Sequence, residues 1–200
     1  MSQKGKIIYD SWEKAIRDLD IAQISTLIEK YPKLIHQGII HYRGNGTTFS
    51  NLPLHMVNTS LEASKKLIES GADPNKYGDG NVLALHNASI EVTRYLISVG
   101  AEVNKIGYEE CTPIMYEVYM NNNNNVEYLI ERGAHVNYQR TLDGYTSLHF
   151  ACQKGGVEMI SLLLRNGASI DMKNDINQTP VDIVKERNYT EALALFHKSE

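Results

Sequence analysis

Histidine and acidic side chains are the residues of this 200-residue chain that could bind a metal. His36 and His41 lie close together, but zinc needs three or four protein ligands, and no third ligand stands near them in the sequence. The stretch DPNKYGDGNVLA begins like a calcium loop, with Asp73 first and Asn and Gly third and sixth. However, Tyr77 is fifth, and Ala84 is twelfth, where a bidentate glutamate is required. We therefore expect no metal site at either place.

Candidate catalytic residues are equally sparse. Glu109 and Glu110 are adjacent carboxylates, but we expect them in an exposed turn, where nothing would adjust a pKa for acid–base work. Cys111 and Cys152 fit no CxxC spacing and are expected to be free thiols in a reducing compartment. The chain contains no GxxxxGK(S/T), GxSxG, HExxH or GxGxxG motif. We therefore expect neither enzymatic activity nor a cofactor.

The composition argues against further classes of function. The formal net charge is −4, and there is no block of basic residues of the kind that binds nucleic acid. No apolar run approaches the roughly 20 residues of a membrane-spanning helix. The N-terminal segment is amphipathic and lacks the apolar stretch of a signal peptide. We expect a cytoplasmic protein that is monomeric when free and binds neither nucleic acid nor membrane.

The elements that position these residues repeat along the chain. The pair Gly-Ala recurs in IESGADPN, ISVGAEVN, IERGAHVN and LRNGASID, with its glycines separated by 29, 33 and 34 residues. An apolar helical stripe precedes each pair. A second phrase lies upstream, as NLPLHM, LALHNA, CTPIMY, YTSLHF and finally QTPVDI. Self-similarity at this period predicts an array of repeats rather than a single irregular core.

From about residue 10 to its C-terminus the chain resembles the ankyrin-repeat family, whose unit is about 33 residues long with T-P-L-H opening its first helix. The stretch TSLHFACQKGGVEMISLLLRNGASID carries this likeness most closely. The resemblance implies an all-α solenoid of stacked helix-turn-helix units with β-hairpin fingers. We expect one domain over 1–200, with an N-cap at 10–42, repeats at 47–79, 80–110, 111–144 and 145–177, and a C-cap at 178–200.

Two repeats are shorter than the family pattern. From the histidine of the recurring phrase to the closing glycine there are 18 residues in repeat 4, 16 in repeat 1 and 14 in repeat 2. This predicts shortened first helices or inter-helix turns in repeats 1 and 2. The resemblance also implies that His55, His86 and His149 bond backbone groups where repeats meet.

Five consecutive asparagines, Asn121 to Asn125, could form either a linker or part of repeat 3. A shift of 34 residues places Asn121 on Gly155, at the end of the first helix, where the backbone needs a positive φ. The next four asparagines then cover the inter-helix turn and the first turn of the second helix, where Asn can cap free N–H groups. We interpret the run as part of the repeat, since a linker would leave the stripe of Val126 and Leu129 without a partner.

In the family, a concave face made by the finger tips and first helices binds other proteins. Large apolar and amphipathic side chains gather at these positions, and such residues are enriched in protein interfaces. The predicted partner-binding residues are Tyr42, Arg43, Phe49, Tyr77, Asp79, Tyr108, Glu109, Tyr119, Met120, Leu142, Asp143, Tyr145, Gln153, Lys154 and Asp175.

The function that we expect is a non-enzymatic protein-interaction module, which binds or blocks a partner protein in its concave groove. Two biological versions remain open: an immunity or inhibitor protein against a partner toxin or enzyme, and a microbial or viral factor that binds host proteins. The alternatives of other classes are a small-molecule or metal-binding protein, an enzyme, or a purely architectural spacer. The sequence does not identify the partner.

Overall fold

The structure, a computed structural model, describes residues 3–37, 39–42, 48–57, 59–154 and 156–196. Packing divides the chain into two compact units, Met1–Glu102 and Val103–Glu200. The predicted single continuous domain is not tested by this division and stays a prediction.

The first unit contains short helices and one pair of strands. Its elements are α1 (Gln3–Arg17), α2 (Ile21–Lys30), α3 (Leu34–Gln37), β1 (Ile39–Tyr42), β2 (Thr48–Asn51), α4 (Pro53–Met56), α5 (Leu61–Glu69) and α6 (Ile90–Ser98). The first helix begins at Gln3, earlier than the expected start near residue 10. Trp12, Ile24, Leu67 and Leu96 are fully buried in one apolar cluster, so the helical stripes meet as their spacing predicts.

The shortening of repeats 1 and 2 is confirmed. In repeat 1 the first helix, α4, is only four residues long. In repeat 2 a turn over 84–87 replaces the first helix, and Asn87 ends it with φ of 60°. Because α6 follows this turn almost at once, repeat 2 lacks about one helical turn of 3.6 residues.

The second unit consists of three helix pairs, each an ankyrin-like helix-turn-helix, as predicted. The helices are α7 (Pro113–Tyr119) with α8 (Asn123–Glu131), α9 (Ser147–Lys154) with α10 (Val157–Arg165), and α11 (Pro180–Glu186) with α12 (Thr190–Phe196). Each pair buries its apolar stripe, as Ile114, Leu129, Leu148 and Leu163 illustrate, each at most 1% exposed. Proline at the first turn of α7 and α11 suits a position where no N–H is needed.

The recurring Gly-Ala pair closes the second helix of each full repeat. In each case the glycine takes a positive φ, from 80° to 98°, and the alanine N–H donates to the carbonyl five residues back. This is the Schellman arrangement, which satisfies a free carbonyl at the helix end and favours glycine. The alanines are buried. The four pairs are Gly71–Ala72, Gly100–Ala101, Gly133–Ala134 and Gly167–Ala168.

The tips of the described repeats are mostly tight turns. One antiparallel strand pair exists among the described residues, β1 with β2, where His41 stands opposite Phe49. The later tips include two 3-10 turns, at Asp79–Asn81 and Tyr108–Glu110, with one residue of positive φ inside each. Because that residue interrupts the extended backbone, a single backbone bond such as Gly107 N–H to the Cys111 carbonyl closes the tip.

Asparagines connect successive repeats within each unit. One asparagine per repeat donates its amide to the carbonyl of the next closing glycine, and its oxygen accepts the backbone N–H two residues beyond that glycine. All six distances are 2.8 or 2.9 Å. These residues are Asn75, Asn104 and Asn137. In the stretch that resembles a calcium loop, Asn75 and Asp73 are therefore both engaged in structural hydrogen bonds.

The asparagine run lies inside repeat 3. Asn121 has φ of 58°, and the Asn122 N–H reaches back to the Glu117 carbonyl, so the first helix ends in a Schellman turn with Asn at the left-handed position. Gly155, its predicted equivalent, lies outside the described residues. The predicted capping role of the later asparagines is wrong, because Asn122 makes no side-chain cap. The amides of Asn122 and Asn125 instead donate to the buried carboxyl of Glu117, at 2.8 and 3.0 Å.

Substitutions at Asn121 test this assignment. Asn121→Gly is expected to leave stability unchanged or to raise it slightly, since glycine adopts positive φ without steric cost. Asn121→Val is expected to lower the free energy of unfolding by about 1 kcal/mol or more, because a β-branched residue resists this conformation. Urea unfolding followed by circular dichroism measures both. Equal stability of the two variants would contradict the left-handed position.

Candidate partner-binding face of the second unit

The tips and first helices of repeats 3 and 4 surround a cavity of about 410 Å³. The helices α7 and α9 supply its walls, and the turn at Tyr108–Glu110 supplies its rim. The cavity is lined by Tyr108, Glu109, Cys111, Tyr116, Tyr119, Arg140, Phe150 and Gln153.

Aromatic rings form most of this wall and meet edge to face. Tyr108 and Tyr116 have ring centroids 6.5 Å apart at 81°, and Tyr119 and Phe150 are 6.1 Å apart at 85°. Edge-to-face packing of this kind is favourable beyond the burial of area, so the rings hold one another in position. The Glu109 carboxylate, through a hydrogen bond and its charge, raises the pKa of Tyr108 above its ordinary value.

Arg140 joins the two tips. Its side chain is only 11% exposed, and it donates to both carboxylate oxygens of Asp143 at 2.5 Å. The same guanidinium donates to the Glu109 carbonyl at 3.3 Å and lies 4.8 Å from the centre of the Phe150 ring. The hydrogen bond with Asp143 raises the pKa of Arg140, so its charge is permanent and already paired. Arg140 therefore braces the cavity rather than offering a free charge.

The exposed residues of these tips and helix ends form what we call the finger face. Tyr119 and Met120 are each 46% exposed, Tyr108 38% and Leu142 59%. The Lys154 ammonium lies 3.7 Å over the Tyr119 ring. The finger face consists of Tyr108, Glu109, Tyr119, Met120, Leu142, Gln153, Lys154 and Asp175, all of them predicted from the sequence and all exposed.

Other residues assigned to the face have a different place. Tyr145 is half-buried and packs against His149 and Phe150, with both centroid distances 5.3 Å. Asp143 is held by Arg140, and Cys111, expected at the exposed tip, is buried. These side chains turn inward because the neighbouring tip supplies an aromatic surface or a guanidinium to pack against. Burial raises the pKa of the Cys111 thiol, so it is not a reactive cysteine.

The residues predicted in the first unit are described only in part. Tyr77 is 44% exposed, and Asp79 is exposed at the start of a 3-10 turn. Tyr42 and Phe49 lie on the paired strands β1 and β2, and only their backbone is described. Arg43 lies outside the described residues. Their part in a binding face stays a prediction.

Three lining residues were missing from the predicted set: Tyr116, Arg140 and Phe150. A signal was present for two of them, since Tyr116 and Phe150 are 34 residues apart and occupy the same place in successive repeats. Tyr116 also lies three residues before Tyr119, on the same side of α7. Nothing in the sequence indicated that Arg140 would turn back toward Phe150.

Comparison with known proteins decides the family. The model described as "Ankyrin repeats (3 copies)" matches residues 54–140 and 81–174, which together span more than half of the chain. The chain belongs to the ankyrin-repeat family. Ankyrin repeats are protein-interaction modules, and the helix pairs, Gly-Ala closures and TPLH-like phrases described above are the features that this family shares.

Individual relatives match only part of this ankyrin chain. Mouse "Ankyrin repeat domain-containing protein 40" is 29% identical over 75 residues, which is 38% of this chain and 21% of that protein. Mouse "B-cell lymphoma 3 protein homolog" is 33% identical over 82 residues, 41% of this chain and 18% of that protein. Human "Protein phosphatase 1 regulatory subunit 27" is 35% identical over 71 residues, 36% of this chain and 45% of that protein. The chain thus spans less than half the length of each of these relatives.

The histidines of the ankyrin phrase are largely structural, as the resemblance implied. His149 accepts the Thr146 N–H on Nδ1 at 3.1 Å, and its Nε2 lies 3.1 Å from the Gln178 carbonyl in the following repeat. His86 accepts the Leu83 N–H at 3.3 Å. His55 departs from this pattern, because its buried ring nitrogens receive no hydrogen bond of normal geometry from the described residues.

Metal and membrane sites were searched for in the described part of the chain. No group of three or more His, Cys, Asp or Glu side chains there is arranged to hold a metal ion. None of the described helices is long and apolar enough to cross a membrane. Both cysteines are free and buried.

Acid is expected to destabilise the first unit. Burial lowers the pKa of His55 and His86 to about 4, well below the ordinary 6.5, and the charge of His55 lowers that of His86 further. The unfolded chain then binds more protons than the folded one between these values. Stability is therefore complete above about pH 6.5 and is lost as the pH falls toward 4, by about 2–3 kcal/mol for each histidine.

Urea unfolding at several pH values measures this loss, with the fluorescence of buried Trp12 as the signal of the first unit. His86→Gln is expected to flatten the pH dependence between 6.5 and 4. His135→Gln, a change at an exposed histidine of the second unit, should leave it intact. An equal slope in the His86→Gln variant and the wild type would contradict the role of burial.

Proposed function

We propose that this ankyrin protein is a non-enzymatic binding protein, which holds or blocks a partner protein on the finger face of its second unit. The observation that carries the proposal is the clustering of exposed Tyr108, Tyr119, Met120 and Leu142 around a braced cavity. Aromatic and Met side chains are enriched at the centre of interfaces, and exposed apolar residues gathered on one face indicate a binding site.

The rigidity of the face supports this proposal. Arg140, its pair with Asp143 and the edge-to-face rings hold the cavity before any partner arrives. A preorganised site loses less conformational entropy on binding, so more of the contact energy appears as affinity. A specific complex buries on the order of 1,600 Å² in total, which adjacent repeats with their tips can supply.

The biological role within this proposal is that of an inhibitor or immunity protein for a partner toxin or enzyme. It rests on the family's function as a binding module and on the absence of any candidate catalytic cluster among the described residues. The alternative role is a microbial or viral factor that binds a host protein. The two differ in outcome, because an inhibitor abolishes the partner's activity in a purified mixture, whereas a host-interaction factor need not.

Affinity purification with matched variants tests the proposal. The full chain is used as bait in extracts of its source cells, as wild type, as Tyr119→Ala/Met120→Ala and as Glu131→Ala/Arg165→Ala. Glu131 and Arg165 are exposed at the ends of the second helices α8 and α10. A protein retained by the wild type and the second variant, and lost from the first, is the expected result. A partner lost only from the second variant would place binding on the second helices and reject the finger face.

A further inference from the structure

The rings of the finger face already attract cations. The Arg140 guanidinium lies 4.8 Å from the centre of the Phe150 ring, and the Lys154 ammonium lies 3.7 Å over the Tyr119 ring. The face of an aromatic ring carries partial negative charge and attracts cations of both kinds. Two of the four rings that wall the cavity thus hold a positive group of the protein itself.

The charges of the cavity leave one carboxylate without a counterion. Arg140 is neutralised by Asp143 through two hydrogen bonds of 2.5 Å. Glu109 lines the same cavity and is exposed, and within the described part of the chain it forms no ion pair. Lys154 is not among the residues that line the cavity. The local field inside the cavity therefore favours a positive group.

An apolar guest would fit this chemistry poorly. A leucine or phenylalanine side chain placed against Glu109 would remove water from the carboxylate without supplying a hydrogen bond in return. A guanidinium supplies that bond, can be bidentate to a carboxylate, and also stacks on aromatic rings. A lysine ammonium shares the charge, but it is a compact, more strongly hydrated group that lacks the planar fork.

We propose that this cavity receives a basic side chain of the partner, an arginine in preference to a lysine. The guanidinium lies against the rings of Tyr108 and Tyr119 and pairs with the carboxylate of Glu109, while Arg140 and Asp143 keep the walls in place. The inference rests on the proposed function, because it names the chemistry of the partner segment that the finger face binds.

Capped tripeptides test the cavity without knowledge of the partner. Nuclear magnetic resonance of the full chain is recorded during titration with acetyl-Gly-Arg-Gly-amide and with its citrulline, lysine and leucine counterparts. The arginine peptide is expected to shift the ring signals of Tyr108 and Tyr119, and to bind at least fivefold more tightly than the uncharged citrulline peptide. Its affinity should also fall as salt is added. Equal or tighter binding of the leucine peptide, or no binding of any peptide, would overturn the inference.

Variants then assign the contacts. Glu109→Gln and Tyr119→Ala are each expected to weaken arginine binding at least fivefold, and Tyr119→Phe, which keeps the ring, should restore it. Glu131→Gln, an exposed change on α8, is the matched control and should have no effect. Unchanged affinity in Glu109→Gln would overturn the ion pair. If a partner is captured through the finger face but no arginine peptide binds, this inference fails and the proposed function stands; if arginine binds but capture ignores the face, the reverse holds.

Discussion

Alanine at Tyr108 or Tyr119 is expected to weaken partner binding by about 1–4 kcal/mol for each substitution, with little loss of fold stability. Both side chains are exposed in the free protein, yet each is held by edge-to-face contact with a neighbouring ring. An aromatic residue fixed in this way loses little conformational entropy when a partner covers it. Such residues at the centre of an interface are typical hot spots.

Isothermal titration calorimetry with the purified partner measures this effect, and circular dichroism checks that the variants fold. Glu131→Ala and Arg165→Ala on the second helices are expected to change the affinity by less than about 0.5 kcal/mol. Tyr145→Ala is a poorer test, since Tyr145 packs against His149 and Phe150 and its loss should also lower stability. Strong effects at Glu131 and Arg165 with none at Tyr119 would move the binding site away from the finger face.

The second large effect is expected inside repeat 3, at the buried carboxyl of Glu117. Glu117→Ala should lower the free energy of unfolding by about 2–4 kcal/mol, because the amides of Asn122 and Asn125 lose the acceptor that they share. Asn125→Ala should cost about 1–3 kcal/mol, since it removes one donor from a fully buried carboxyl.

The asparagine run contains its own control. Asn124 is exposed on α8, one residue before Asn125. Asn124→Ala should change stability by no more than about 0.5 kcal/mol, with a small gain from the better helix propensity of alanine. Urea unfolding of the full chain, followed by circular dichroism, compares the variants. Equal stabilities of Asn124→Ala and Asn125→Ala would mean that the contact with Glu117 adds nothing to the fold.

The repeat architecture was predictable because its signals are local in the sequence. The Gly-Ala closures, the apolar stripes and the left-handed position at Asn121 each depend on the backbone of one helix end or one helix face. The shortening of repeat 2 was also readable, since counting from His86 to Gly100 needs no tertiary information. The start of α1 was misjudged because no glycine or capping signal marks it.

The candidate site was predictable only as a set of exposed positions. Repeat geometry places residues such as Tyr108, Tyr119 and Leu142 outward, and the structure agrees. It does not say which long side chains will bend inward, since that choice depends on what the adjacent repeat presents. Tyr145 and Asp143 were therefore assigned to the surface, although Phe150 and Arg140 hold them in half-buried positions.

By itself, the sequence determined the family, the order of the repeats and the place of the five asparagines, because a repeating backbone pattern repeats in the letters. Only the tertiary structure decided that Asn122 and Asn125 serve Glu117, and that Arg140 braces a ring-walled cavity beside an unpaired Glu109. The physical reason is that burial and charge pairing are set by side chains that meet through space. Between Tyr116 and Phe150 that meeting spans 34 residues of chain, and no local pattern records which partner each side chain will find.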